Sequence, residues 1–178
     1  PPTLTLPSAR CDLPVRLRGY LHEDQACIAW GWLHSYRSSA WARLMHPTTY
    51  TKTQRVIVET LMSYAQDDKY PTRLIVACSP DDEHQIFGWV CGEVQMRRAL
   101  LHYVWVKAPY RRQGVASLLV SQLVDGTKPV AVSHSSDQAN KIVRTAPEVV
   151  AALRTDSPAY PLRFNPMLAV NPDFEVAL

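Results

Sequence analysis

The chain has 178 residues, 47% of them hydrophobic and 20% charged, enough apolar material for one sizeable core and too much for a chain disordered throughout. Two independent domains are not expected at this length. A formal net charge of +3 is too small to imply nucleic-acid binding by itself, and no apolar run approaches the roughly 20 residues that a membrane span requires. The opening PPTLTLPSARCDLP lacks the basic-then-apolar order of a signal peptide, so a cytoplasmic protein is expected. Cys11, Cys27, Cys78 and Cys91 form no Cys-x-x-Cys pair and no zinc spacing; they are read as reduced and mostly buried, with no metal site.

Residues 1–14 hold four prolines and predict an extended or loosely held arm, leaving 15–178 as a single domain. A short strand at Val15 to Arg18 follows. Ala26, Ala29, Trp30 and Leu33 recur at helical intervals within His22 to Tyr36, marking one apolar stripe of a helix. The chain then breaks at Pro47, and Thr51 caps a second helix to about Gln66, with Val56, Ile57, Leu61 and Tyr64 facing inward.

Beyond that point the period changes. RLIVAC (73–78) and IFGWVCGEV (86–94) flank the polar turn SPDDEHQ and predict an antiparallel hairpin, with LLHYVWV (100–106) as a third strand. Gln113 to Val124 is expected to be a helix packed on that sheet, and Val130 to Ser133 a further strand. Ser136 or Asp137 caps a short helix to Arg144, Pro147 opens another through Leu153, and Leu162 to Val170 is a final strand that Pro166 assigns to an edge or bulge.

The stretch LHYVWVKAPYRRQGVASLLVSQLV (101–124) is the most informative. A buried strand runs through a basic turn with one glycine into a helix whose first amides have no intrahelical acceptor. Amides of Gln113, Gly114, Val115 and Ala116 can converge on a phosphate, small Gly114 and Ala116 allow close approach, and Arg111 and Arg112 add positive charge.

Arg111-x-x-Gly114-x-Ala116 after a strand ending in Val-x-Val resembles the acetyl-coenzyme A signature of the GCN5-related N-acetyltransferase (GNAT) superfamily, and the order of elements from about residue 15 to 134 is similar to that family. The resemblance implies an α/β fold of the α+β kind, a mixed, mostly antiparallel twisted sheet flanked by helices. It also implies a splay between the signature strand and the next one, into which the pantetheine arm of acetyl-coenzyme A inserts. Residues Val104, Trp105 and Val106 would then meet the cofactor, with the amides of Val104 and Val106 facing it. The pyrophosphate would rest on Arg111, Arg112, Gln113, Gly114, Val115, Ala116 and Ser117, and Asn140 would add a further cofactor contact.

Acetyl transfer to an amine requires a neutral nucleophile, yet a free alkylamine with a pKa near 10 is mostly protonated at pH 7. His102 is the candidate base, directly or through water, and its place in LHYVWV resembles the histidine-bearing strand of the arylalkylamine N-acetyltransferases. Where many relatives carry a glutamate, this chain has Leu100, and Glu93 on the preceding strand is the fallback. Tyr160, the only tyrosine after the signature, is the candidate acid by resemblance, with His134 an alternative. Trp30, Trp32, Tyr36, Trp41 and His46 make the acceptor side rich in aromatics, and Asp81, Asp82 and Glu83 form an acidic turn that can attract a cation.

The expected function is acetyl-coenzyme A dependent transfer of an acetyl group to a primary amine of a small molecule or protein, by direct attack in a ternary complex. A catalytically inactive acyl-coenzyme A binding or regulatory module with the same fold is the alternative. A nucleic-acid binder resting on Arg97, Arg98, Arg111 and Arg112 ranks last, because no aromatic-basic stacking face is evident. No membrane partner is expected, and the chain is expected to be a monomer or homodimer.

Overall fold

The structure is a computed structural model that describes residues 11–124 and 130–134, with the backbone of Arg163–Phe164. Its six-stranded sheet runs in chain order, with β1 (Arg16–Gly19), β2 (Thr72–Cys78), β3 (Ile86–Val94), β4 (Ala99–Val106), β5 (Val130–Val132) and β6 (Arg163–Phe164) as successive neighbours. The first four are antiparallel, whereas β5 pairs in parallel with β4 and β6 with β5. The helices are α1 (Gln25–Tyr36), α2 (Ala40–Arg43), α3 (Pro47–Tyr64) and α4 (Val115–Ser121). The predicted helices after residue 134 and most of the predicted final strand lie outside the described residues.

β3 is buried at every position but Val94, because the sheet is covered on both faces; that is why its sequence reads as a nearly continuous apolar run. On one face Trp32 and Tyr36 of α1 and Tyr50, Val58 and Leu61 of α3 pack with Val76, Trp89 and Tyr103. On the other, Val115, Leu119 and Val120 of α4 pack with Ala77, Val90 and Leu101. Cys11, Leu13 and Val15 also pack there, and the Asp12 amide donates to the Gln113 carbonyl at 3.0 Å, so residues 11–15 are held against the α4 layer.

Two expectations for the helices are corrected, and one helix is added. In α1 the buried residues are Ile28, Gly31, Trp32 and Tyr36; the predicted stripe turns the other way, with Trp30 61% exposed and stacked on His34 at 4.8 Å. Both faces carry apolar residues at three- and four-residue spacing, so periodicity could not choose between them. Second, α3 starts at Pro47, not Thr51, with the His46 ring accepting from the Thr48 amide; proline suits a first helical turn because its missing N–H would have no partner there. Its buried face is Tyr50, Gln54, Val58, Leu61 and Met62, while Val56 is exposed. The added helix is α2, capped by Ser39 through the Ala42 amide.

Candidate functional site

The site begins with an irregularity in β4. Gly92 pairs with Leu101 and Cys91 with Tyr103, so His102 is an extra residue, a β-bulge. Alternation resets across it: Leu101 packs on the α4 side and Tyr103 on the α1/α3 side. Gly92, opposite the bulge, has no room for a side chain, since a Cβ would lie 2.5 Å from the Leu100 carbonyl oxygen and 2.7 Å from Leu123 Cδ1.

From the bulge His102 enters a buried chain of polar groups. Its Nε2 is 3.2 Å from Glu93 Oε1 and its Nδ1 is 2.8 Å from Ser133 Oγ. Ser133 Oγ is in turn 2.8 Å from His134 Nδ1, and His134 Nε2 is 3.2 Å from Gln54 Oε1 of α3. Glu93 also accepts from Gln95 Nε2 at 2.9 Å and from Thr72 Oγ1 at 3.4 Å. His102 is fully buried, and Glu93, Ser133, Gln54 and His134 are buried with it.

The environment sets the charges. Burial alone would raise the Glu93 carboxyl, but hydrogen bonds from His102, Gln95 and Thr72 outweigh it and hold the group below the usual carboxylate range. His134 is pushed down to about 3, first by burial and then by repulsion from a charged His102, and its ring meets the Trp32, Tyr36 and Tyr103 rings edge-on. The His134 ring is therefore neutral at working pH.

Beside this chain the pairing of β4 with β5 ends, among the described residues. Their pairing covers only Ala99, Leu100 and Leu101 against Val130, Ala131 and Val132, with a last hydrogen bond from the Ser133 amide to the Leu101 carbonyl. The Lys107 amide donates to Phe87 of β3 at 2.8 Å; by the alternation of an antiparallel ladder, Val104 and Val106 then turn their backbone groups away from β3, toward the β5 side. Arg111 Nε donates to the Val106 carbonyl at 2.9 Å. Trp105 behaves differently. Paired with Trp89, it packs its ring against Gly31 of α1, away from that edge.

After a short 3-10 turn at Ala108–Tyr110, Arg112 (φ 62°) and Gly114 (φ 85°) take left-handed backbone conformations and lead into α4. The first helical hydrogen bond runs from the Leu118 amide to the Gly114 carbonyl, so the amides of Val115, Ala116 and Ser117 have no intrahelical acceptor. Arg111 and Arg112 are exposed above them.

The structure thus brings together Glu93, His102 and His134, and aligns Val104 and Val106 with the turn at 111–117. Asn140 and Tyr160 lie outside the described residues. Sequence reasoning missed Ser133, Gln54 and Thr72. Only Gln54 left a signal, as a polar residue four after Tyr50 and four before Val58 on one buried helical stripe. The cysteines are free, Cys78 and Cys91 being buried. Among the described residues no His, Cys, Asp or Glu cluster could hold a metal ion, and no helix is long and apolar enough to cross a membrane.

Comparisons with known proteins agree with this architecture. Comparison with curated protein sequences gives no match. Among solved structures, the chain is similar to YycN of Bacillus subtilis, at 14% identity and TM-score 0.57, over 76% of this chain and 90% of that one. It is similar to a Clostridium difficile protein at 14% identity and TM-score 0.53, over 85% and 98% of the two chains. YjaB of Escherichia coli in its apo form aligns at 17% identity and TM-score 0.51, over 77% and 82%. At these identities the likeness concerns the fold alone. The model of the acetyltransferase (GNAT) family, whose members take the acetyl group from acetyl-coenzyme A, matches residues 24–132, and the chain belongs to that family.

Proposed function

We propose that the protein transfers the acetyl group of acetyl-coenzyme A to a primary amine of a small molecule or protein, by direct attack in a ternary complex. The observation that carries this reading is the end of the β4–β5 pairing at Leu101 among the described residues, with the Val104 and Val106 backbone groups turned away from β3 beside a buried acid-base chain. The residues fit the coenzyme: edge amides suit the amides of its pantetheine arm, and the turn at 111–117 with exposed Arg111 and Arg112 suits its diphosphate. When bound, the coenzyme supplies an activated thioester.

The chain's own residues do the rest. Val104 and Val106 hold the arm through backbone hydrogen bonds, and the amides of Gly114 to Ser117 hold the diphosphate. His102 acts as the base through Ser133 and His134, since its ring is fully enclosed, and Glu93 orients that ring and offsets its charge once protonated. The sequence resemblance adds Asn140 as a cofactor contact and Tyr160 as the acid.

The test incubates the purified protein with acetyl-coenzyme A and a panel of primary amines, following thiol release and, by mass spectrometry, the acetylated amine. Acetylation of at least one amine is expected. Calorimetric binding of the coenzyme without transfer to any amine would replace this reading by a cofactor-binding module, and no binding at all would remove both.

A further inference from the structure

The buried polar chain can be solved for its protons. A carboxylate only accepts, so with Glu93 ionised His102 Nε2 carries a hydrogen. Ser133 has one hydroxyl proton and two imidazole neighbours, His102 Nδ1 and His134 Nδ1, both at 2.8 Å. It can donate to only one of them, and the other must bear an N–H and donate back. Two satisfied arrangements remain. In the loaded one, His102 is protonated on both nitrogens, Ser133 donates to His134 Nδ1, and His134 Nε2–H donates to Gln54 Oε1. In the unloaded one, Ser133 donates to His102 Nδ1, His134 Nδ1–H donates to Ser133, and His134 Nε2 is bare.

The two arrangements differ by one proton. Once Gln54 withdraws its amide N–H, a proton accepted at His134 Nε2 shifts the Nδ1 proton of His134 to Ser133 and the hydroxyl proton of Ser133 to His102 Nδ1, so the charge comes to rest beside Glu93. His134 changes tautomer without becoming charged, in keeping with the low basicity that burial gives it. A bare Nε2 needs a donor and a protonated one an acceptor. Gln54 supplies either by turning its carboxamide over, its Oε1 lying 3.2 Å from His134 Nε2.

Resting on the acetyl-transfer reading above, we infer that Gln54 is a positioning residue, the reversible terminus of a Glu93–His102–Ser133–His134 proton relay that stores the proton taken from the acceptor amine. Among the described residues, the other groups around the relay do not compete for that proton. Burial raises the Cys91 thiol of β3, the Tyr36 hydroxyl of α1 and the Tyr103 hydroxyl of β4, keeping all three neutral. Thr72 of β2 and Gln95 do not titrate; among the described residues Arg98 donates to Gln95 and the field of Arg111 reaches Tyr103.

The experiment is a pH titration of the full chain, labelled with 15N in its histidine rings, read by NMR without coenzyme or amine. In the wild type, His102 should lose its Nδ1 proton at the same midpoint at which His134 moves its proton from Nε2 to Nδ1. Gln54→Glu, once ionised, offers an acceptor only, favours the loaded arrangement, and should raise that midpoint by about one pH unit or more, as a buried carboxylate partner does. Ser133→Ala, an independent variant should Gln54→Glu fail to fold, should abolish the tautomer change of His134. A His134 that keeps one tautomer throughout the wild-type titration overturns the relay, and a Gln54→Glu midpoint equal to wild type overturns the role of Gln54. Because nothing is turned over, either failure leaves acetyl transfer itself standing, the first removing only the route to His102 through Ser133 and His134, and a failure of acetyl transfer leaves this titration unaffected.

Discussion

His102 Nε2 lies 3.2 Å from Glu93 Oε1, with the imidazole fully buried and the carboxylate nearly so. In the sequence the two residues compete for one role, as base and fallback base. In the fold they are one unit, joined across β3 and β4 where the bulge turns His102 toward Glu93.

Removal of either member should separate chemistry from binding. His102→Ala is expected to lower turnover by about 10²- to 10⁴-fold, the range for a lost general base, with coenzyme affinity nearly unchanged. Glu93→Gln keeps the shape but not the charge and should give a smaller loss. Steady-state kinetics with the best amine of the panel, alongside calorimetry, separates the two effects; wild-type turnover in His102→Ala would remove it from the mechanism.

At the turn before α4, the backbone of Gly114 is left-handed with φ 85°, which costs a residue with a Cβ about 1–2 kcal/mol. Gly114→Glu adds bulk and a negative charge where the diphosphate is proposed to rest. Coenzyme binding should be lost while the circular dichroism spectrum stays native. Unchanged affinity would count against the site.

Gly92 fixes the bulge by having no side chain. A Cβ 2.5 Å from the Leu100 carbonyl oxygen forces the strands apart, so Gly92→Ala should destabilise the fold by roughly 1–3 kcal/mol, as overpacking does, and displace His102 from Glu93. Urea unfolding and turnover should both suffer. If stability fell and turnover did not, the bulge would be irrelevant to the chemistry.

The depressed basicity of His134 gives a pH dependence of definite sign. Burial and repulsion from His102 bring its folded pKa to about 3, below the 6.5 expected in the unfolded chain. Between those values the unfolded chain binds a proton that the native ring refuses. The contribution of His134 to stability is therefore complete above about pH 6.5 and declines as pH falls toward 3, by about 1.4 kcal/mol per unit. Urea unfolding of the wild type and His134→Phe at pH 7, 6 and 5 should show the variant gaining relative to the wild type as pH falls. A constant difference would mean that the native ring protonates normally.

Much of the fold was legible because its signals are local. The run IFGWVCGEV gave β3 its observed bounds, Ile86–Val94, and the turn around Gly114 was read from composition and spacing. What escaped depends on neighbours distant in sequence. Which stripe of α1 is buried is decided by Trp89 and Tyr103, whose rings stack on Trp32 at 5.2 Å each, and not by the helix itself. The polar chain was legible only in pieces: His102 stood out by residue type, but a one-residue bulge aims it, and Gln54, 80 residues before its partner His134, gives no local hint of meeting it.

The hydrogen bond from Asp12 to Gln113 ties the earliest described residues to the loop on which the diphosphate is proposed to sit. Rigidifying that loop should slow deuterium uptake at the Asp12 amide, so a backbone position remote in sequence would report occupancy without a label near the coenzyme. By the same tie, trimming the chain past Asp12 would loosen a loop that the deletion never touches.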